Sequence, residues 1–284
     1  MVGTAQQAAQ QAAQQAAQQA VQQAAQQAAQ QTAQHRLEAR DVVRIFPDQA
    51  GEDLLVLDKF SLSVEGSEIV GIVGPSGCGK STFLRLLAGL DRQQGGSLVY
   101  DGQPIDGPHF DRGLVFQSAA LFDWLTVYDN IAFGLKARKV FKGREHKVDE
   151  YLKMMGLEGF EGSYPYQISG GMASRTALAR TFIQDPGLVL LDEPLSALDA
   201  FTRMSIQDEV IGMHRRSGAI YLLVTHDIEE AVYLCDRVIV MSARPGRLIG
   251  EVSIGLAHPR NRVSDGFVAK RREVLGLLSG QLLS

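Results

Sequence analysis

The sequence is short of cysteine: Cys78 and Cys235 are the only two in 284 residues. Two thiols so far apart make no disulfide framework. Their ordinary use is as small apolar fillers, so a reducing, cytosolic compartment is expected. Long apolar runs are missing as well. No stretch approaches the roughly 18 apolar residues of a membrane span. The N-terminus also lacks the charged-then-apolar order of a secretory signal, so work at a membrane would pass through a partner. Nor does one charge sign dominate: 28 Lys and Arg stand against 32 Asp and Glu, for a net charge of −4. The basic footprint of a nucleic-acid binder is absent from such a balance, and no nucleic-acid partner is expected. What the chain does have is apolar bulk, 45% of its residues, enough for a sizeable core in one or two domains.

Residues 5 to 34 repeat "AQQA" almost without interruption. Ala and Gln favour helix, but a repeat of four drifts by about 40° against a turn of 3.6 residues, so no apolar stripe persists. Residues 1–34 are therefore expected to be a solvated low-complexity tail. A globular part, residues 35–255, follows. "RLEARDVVRIF" (36–46) and "LLVLDKFSLSV" (54–64) alternate as strands do. "EIVGIVG" (68–74), "GLVLLD" (187–192) and "AIYLLVTH" (219–226) are short continuous apolar runs, the mark of buried parallel strands. Phe83, Leu84, Leu87 and Leu90 recur at helical spacing after the first of these. Residues from about 119 to 175 form a charged, helix-rich insert. "ALDAFTRMSIQDEVIGMHRRSG" is a further helix, and residues 236–254 are expected to close the domain as strands around a turn at Pro245 and Gly246. A C-terminal extension, 256–284, reads as an amphipathic helix with Phe267, Val268 and Leu275 on one side. The fold class is α/β: a mostly parallel core sheet, an antiparallel β subdomain and a helical insert.

The loop "GPSGCGKST" between the first buried strand and its helix fits the pattern G-x-x-x-x-G-K-[ST]. Gly74, Gly77 and Gly79 permit tight turns whose N–H groups point at phosphate oxygens, with Pro75, Ser76 and Cys78 between them. The start of the helix adds its positive end. Lys80 would reach the β- and γ-phosphates, Ser81 would offer a hydroxyl to Mg²⁺, and Thr82 would bond a phosphate oxygen. "LVLLDEP" (188–194) delivers Asp192, a candidate Mg²⁺ ligand, and Glu193, a candidate base for the attacking water. "VTHD" (224–227) brings His226 to the same region as a stabiliser of developing charge. Gln117, in "VFQS", is a candidate both for touching Mg²⁺ and for positioning the water. A second anion clamp, Ser169-Gly170-Gly171, opens another helix.

Taken in order, these pieces resemble the ATP-binding subunit of ABC transporters, a family of P-loop NTPases. The resemblance runs over roughly residues 36 to 255 and spans the Walker A loop, Gln117, Ser169-Gly170-Gly171, Asp192 with Glu193, "SALD" (196–199) and His226. It implies ATP and Mg²⁺ as ligands. It also implies a second ATP-binding subunit, expected to be another copy of the chain, whose Ser-Gly-Gly covers the nucleotide held by the first, with Asp199 at the seam. Phe46 matches the place of an adenine platform, where stacking contributes on the order of 1 kcal/mol. Where the family often continues Ser-Gly-Gly with Met-Arg-Gln or Gln, this chain has Met172, Ala173 and Ser174. The missing basic side chain is expected to weaken the closed dimer.

"DEPLSALDAFTR", "THDIEEAVYLCDRVIVMS" and the Arg-Pro-Gly turn of "ARPGRL" (243–248) look like the nitrate, sulfonate, taurine and bicarbonate import branch. The branch implies transmembrane permease subunits, met through Leu121, Phe122 and Trp124, and indirectly a solute-binding protein. The expected location is peripheral, on the cytoplasmic face of the membrane. The competing reading is a soluble ABC-type ATPase not tied to transport. A single set of motifs and the short separation of Lys80 from Asp192 tell against the tandem translation factors and the long-armed repair ATPases. A small-molecule P-loop kinase leaves Ser169-Gly170-Gly171 and His226 unexplained.

Overall fold

The computed structural model describes residues 35–47 and 51–280; the Ala/Gln segment expected to be a solvated tail lies outside the described residues. Strand β1 (Arg36–Pro47) pairs antiparallel with β2 (Asp53–Glu65), from Arg36 opposite Glu65 to Pro47 opposite Asp53. After β3 (Ile69–Val73), strand β4 (Gly95–Tyr100) returns to the other edge of β1, and the two-residue β5 (Gln103–Pro104) completes a four-stranded antiparallel sheet. A second sheet combines β3 with β6 (Arg112–Val115), β7 (Leu188–Asp192), β8 (Ile220–Val224), β9 (Arg237–Met241) and β10 (Leu248–Ser253). Its order is β10-β9-β3-β8-β7-β6, parallel except for β10.

Every residue of β3, β7 and β8 is buried, because both faces of this sheet are covered. The period of two then sorts their side chains between two cores. Val70, Ile72, Leu188, Leu190, Ile220 and Leu222 join one core with the β1–β2 ribbon and helix α1 (Lys80–Leu87). Ile69, Val73, Val189, Leu191, Tyr221 and Leu223 join the other. That second core is completed by α2 (Val127–Ala137), α3 (Glu145–Met154), α4 (Gly170–Phe182), α5 (Ala200–Ser217), α6 (Ile228–Leu234) and α7 (Asp265–Ser279). Thr126, Ser169, Asp199, Asp227 and Ser264 cap α2, α4, α5, α6 and α7, each side chain accepting from a backbone N–H of its own first turn. Such a cap is typically worth about 1 kcal/mol.

Two expectations need correction, and three strands add to the reading. Helix α1 stops at Leu87, and Gly89 at φ +74 turns the chain away, so Leu90 is exposed rather than on the apolar face. In α7 the buried pair is Phe267 and Val274, with Leu275 exposed and Val268 half-buried. The strands β4, β5 and β6 were not anticipated; β6 is a four-residue edge strand, mostly half-buried, and offers no clear apolar period.

Candidate functional site

The phosphate loop, residues 74–79, links β3 to α1. Gly77 and Gly79 lie in the left-handed region at φ +75 and +108, where a side chain is strained. Gly79 is also packed too tightly for one, since a Cβ there would sit 2.8 Å from Leu57 Cδ2. Ser76 and Gly77 face solvent, whereas Cys78 is buried. Burial pushes the Cys78 thiol up, against the pull of nearby Lys80, so this thiol is an unreactive filler. The buried Lys80 turns its amine back on the loop, donating to Gly74 O at 2.8 Å and Pro75 O at 3.0 Å. Thr82, half-buried, follows in the first turn of α1.

Asp192, Glu193, Gln117 and His226 stand at or just beyond the carboxyl ends of β7, β6 and β8. These three strands are neighbours in the order β8-β7-β6, and the carboxyl ends of parallel strands are where α/β sheets bind ligands. Asp192 is buried and accepts a hydrogen bond from Ser81 Oγ at 2.9 Å, which joins the phosphate loop to β7. Burial raises its pKa, the Ser81 bond opposing. Glu193 adopts φ +46 while its amide still pairs with Val224 O at 2.9 Å; such strain in a non-glycine residue concentrates at functional sites. A single carboxylate oxygen, Glu193 Oε2, accepts from Gln117 Nε2 at 3.2 Å and faces His226 Nδ1 at 3.0 Å. The three candidate catalytic residues therefore meet. The His226 side chain is 67% exposed and that of Glu193 only 18%, so the acid is sheltered and the imidazole is open to a ligand.

Among the described residues no group of three or more His, Cys, Asp or Glu is arranged to hold a metal ion. The Ser81–Asp192 pair instead supplies one hydroxyl and one carboxylate oxygen. That sparse, hard donor set fits Mg²⁺, which keeps most of its ligands from water and phosphate.

Ser169, Gly170 and Gly171 do not join this cluster. Ser169 Oγ accepts from Met172 N at 3.2 Å in its own helix, and no hydrogen bond or ion pair among the described residues links it to the phosphate loop. Ser169 and Gly170 are exposed, and a Cβ on Gly170 would meet nothing within 4 Å. At the departure from the usual pattern, Ser174 is buried and donates to Gly170 O at 3.1 Å, so it braces α4 from inside. Phe46 is half-buried against the ribbon core, and the Arg44 guanidinium lies 3.9 Å over its ring while pairing with Asp91 at 2.7 Å. One face of the expected adenine platform is thus already covered.

The motif pattern passed over Thr225, Arg203 and Glu230. With Glu193, Ser196, His226 and Asp227 they line a cavity of about 80 Å³ beside the Glu193–His226 pair. Glu230 lies in the first turn of α6, which Asp227 caps immediately after His226; an acid in the first turn of the helix that follows His226 is the signal that would have found it. It also passed over the contact of Gly246 with the phosphate loop. Gly246 N donates to Val56 O at 2.8 Å and Gly246 O accepts from Asp58 N at 3.1 Å, and any Cβ at Gly246 would collide with Cys78 O. The exposed Trp124 and Phe133 flank Phe122, with ring centroids 5.4 Å and 4.4 Å from it, while Leu121 is half-buried.

Comparison with known proteins shows what the chain is similar to. The family model described as ABC transporter matches residues 57–196. An uncharacterized ABC transporter ATP-binding protein of Methanocaldococcus jannaschii is 43% identical, over 87% of this chain and 93% of that protein. An aliphatic sulfonates import ATP-binding protein, SsuB, of Bacillus thuringiensis is 42% identical over 83% and 92%. A taurine import ATP-binding protein, TauB, of Pelagibacter ubique is 40% identical over 85% and 94%. Among solved structures, a dimeric ATP-binding cassette in a post-hydrolysis state, bound to ADP and Pi, superposes with a TM-score of 0.70 at 29% identity, over 76% of this chain and 98% of that one.

Proposed function

This chain belongs to the ABC transporter family as an ATP-binding, ATP-hydrolysing cassette, and from that premise we propose that it works in pairs to drive solute import through a separate membrane permease. The observation that carries the reading is the convergence of Gln117 and His226 on one oxygen of Glu193, one residue beyond the Ser81–Asp192 bond. Glu193 takes the proton of the attacking water. Gln117 orients that water, and His226 faces the charge that develops on the γ-phosphate. Lys80 exchanges its two loop carbonyls for phosphate oxygens. Mg²⁺ would be held by Ser81 and Asp192, with Gln117 beside them, and when bound would neutralise charge between the β- and γ-phosphates.

Ser169, Gly170 and Gly171 serve the nucleotide of a second copy. What supports this is the exposure of Ser169 and Gly170, with Gly171 half-buried beside them, and that among the described residues no hydrogen bond or ion pair ties Ser169 to the phosphate loop of its own chain. The permease is met through Phe122, Trp124 and Phe133, an aromatic group that leaves Trp124 73% exposed. The solute is a small anion of the sulfonate, taurine, nitrate or bicarbonate kind, with sulfonates favoured by the names of the relatives, and a solute-binding protein delivers it outside. The cassette sits peripherally on the cytoplasmic face of the membrane; no described helix is long and apolar enough to cross a bilayer. A soluble ABC-type ATPase unconnected with transport is not favoured, since the named relatives are import subunits.

Mixing two inactive variants tests the shared site. Ser169→Arg and Lys80→Ala are each expected to be inactive alone. Together they form heterodimers with one intact composite site, and turnover returns. No recovery at any mixing ratio, with both variants folded and Ser169→Arg still binding ATP, would refute the trans arrangement.

A further inference from the structure

The segment 256–264, between β10 and α7, crosses over α6, the helix that begins two residues after His226. Its Arg260 is buried and acts as a C-terminal cap for that helix. Nη1 donates to Val232 O at 2.7 Å, Tyr233 O at 3.2 Å and Cys235 O at 2.6 Å, and Nε donates to Leu256 O at 2.9 Å. A cation there also suits the negative end of the helix. Arg262 grips the other side of α6. Its guanidinium stacks 3.7 Å over Tyr233, lies 3.6 Å from Glu229, and donates from Nη2 to Gln207 Oε1 at 2.6 Å. Gln207 in turn donates from Nε2 to Glu230 Oε1 at 3.4 Å, and Glu230 lines one cavity with Thr225, His226 and Glu193. Gln207, Glu230 and Thr225 are 2%, 5% and 2% exposed.

A chain of polar contacts therefore runs from the C-terminal segment through the interior to Glu230, in the wall of the cavity that Thr225 and His226 also line. Left without partners, a buried acid and amide are costly and look for other arrangements. Fully satisfied, such a network fixes one geometry. Arg262 is the charged outer end of this one, and the only link of the three that comes from outside α5 and α6.

We propose that Arg262 is a positioning residue for ATP hydrolysis: through Gln207 and Glu230 it holds the cavity wall against which Thr225 and the loop that sets His226 against Glu193 rest. The proposal rests on the reading of His226 given above. Arg262 touches neither nucleotide nor Glu193, so its removal should change the chemical step and spare binding. A misplacement of about 1 Å at a reacting group can lower turnover up to about 100-fold, and about tenfold is expected here for one loosened link.

The test is a double-mutant cycle on the full chain, with kcat and KM for ATP measured for Arg262→Ala, His226→Ala and the double variant. Arg262→Ala is expected to lower kcat about tenfold with KM unchanged, and to have no further effect once His226 is gone. The proposal is overturned if Arg262→Ala lowers kcat by the same factor in both backgrounds, if it acts on KM alone, or if it changes only the melting temperature. His226→Ala with normal turnover would refute the reading of the histidine and the proposal with it, which distinguishes that failure from the others. Should Arg262→Ala not fold, Arg262→Lys takes its place in the cycle under the same criteria. It keeps the charge near Glu229 but lacks the planar fork that both stacks on Tyr233 and reaches Gln207.

Discussion

Substituting Gly246 with alanine tests whether the Arg-Pro-Gly turn sets the shape of the phosphate loop. The turn lies more than 160 positions after the loop in the chain, yet the backbones touch: a Cβ on Gly246 would lie 3.2 Å from Leu57 Cδ2, 2.7 Å from Met241 Cε, and closer still to Cys78 O. The Met241 methyl is the end of a flexible side chain and can swing aside. Leu57 needs to yield a few tenths of an ångström. Cys78 O cannot yield alone, because it is the backbone of the loop, and ordinary C···O contacts sit near about 3.3 Å. The loop must therefore move by about 1 Å, or the turn must detach from β2, losing the paired bonds of Gly246 to Val56 and Asp58. Overpacking of this kind costs about 1–3 kcal/mol of stability, and a 1 Å shift at the phosphates can lower turnover by up to about 100-fold. The assay is fluorescent-nucleotide titration together with steady-state ATPase rates on the purified chain, with thermal melting as control. Weaker nucleotide binding and slower turnover in a folded protein are expected. Wild-type binding and rate would refute the claim that this turn buttresses the loop.

Three further outcomes follow from the site. Glu193→Gln should lower turnover by about 10² to 10⁴-fold, the typical worth of a general base, while ATP binding persists and dimers accumulate on gel filtration; normal hydrolysis would displace Glu193 from its role. Asp192 is raised by burial, so it binds its proton more tightly folded than unfolded. Its favourable contribution exists below the ordinary carboxylate pKa and is lost as pH rises through the raised value, leaving the ionised acid a burden at pH 7. Asp192→Asn should accordingly raise the melting temperature of the nucleotide-free chain at pH 7, an advantage that shrinks toward pH 4 as the native acid is protonated, while abolishing turnover. Phe46→Ala should weaken ATP binding about fivefold if stacking contributes its usual 1 kcal/mol or so; unchanged affinity would mean that Arg44, already over the ring, displaces adenine from it.

The parallel strands were legible because β3 and β8 are apolar throughout and β7 is apolar up to Asp192 at its end, which only a sheet covered on both faces requires. Glu193 and His226 were legible for the same reason, since each lies within two residues of the end of such a strand; Gln117, two residues beyond β6, was reached only through the resemblance of the motif set. Short range hid other features. The run "RGLV" of β6 carries too few side chains to show a period. In α7 the pairs Phe267/Val274 and Val268/Leu275 have the same spacing, so the sequence offers two stripes one residue apart. Only the packing of α7 against the sheet and α6 decides between them. Contacts between distant segments left no local trace at all: Arg44 over Phe46 depends on the ribbon, Gly246 against Cys78 on a turn far along the chain, and Arg262 to Gln207 on the crossing of α6.

The six-stranded sheet acts as a septum. Ile72 and Val73 are consecutive, yet Ile72 belongs with Phe83 and the helix that follows the phosphate loop, and Val73 with Leu178 in the helix that Ser169 begins. Damage at the first is felt on the side of the helix that follows the phosphate loop, and damage at the second on the side of the helix that Ser169 begins. Two adjoining positions thus answer to separate cores, and a substitution at one strains a different set of neighbours from a substitution at the other.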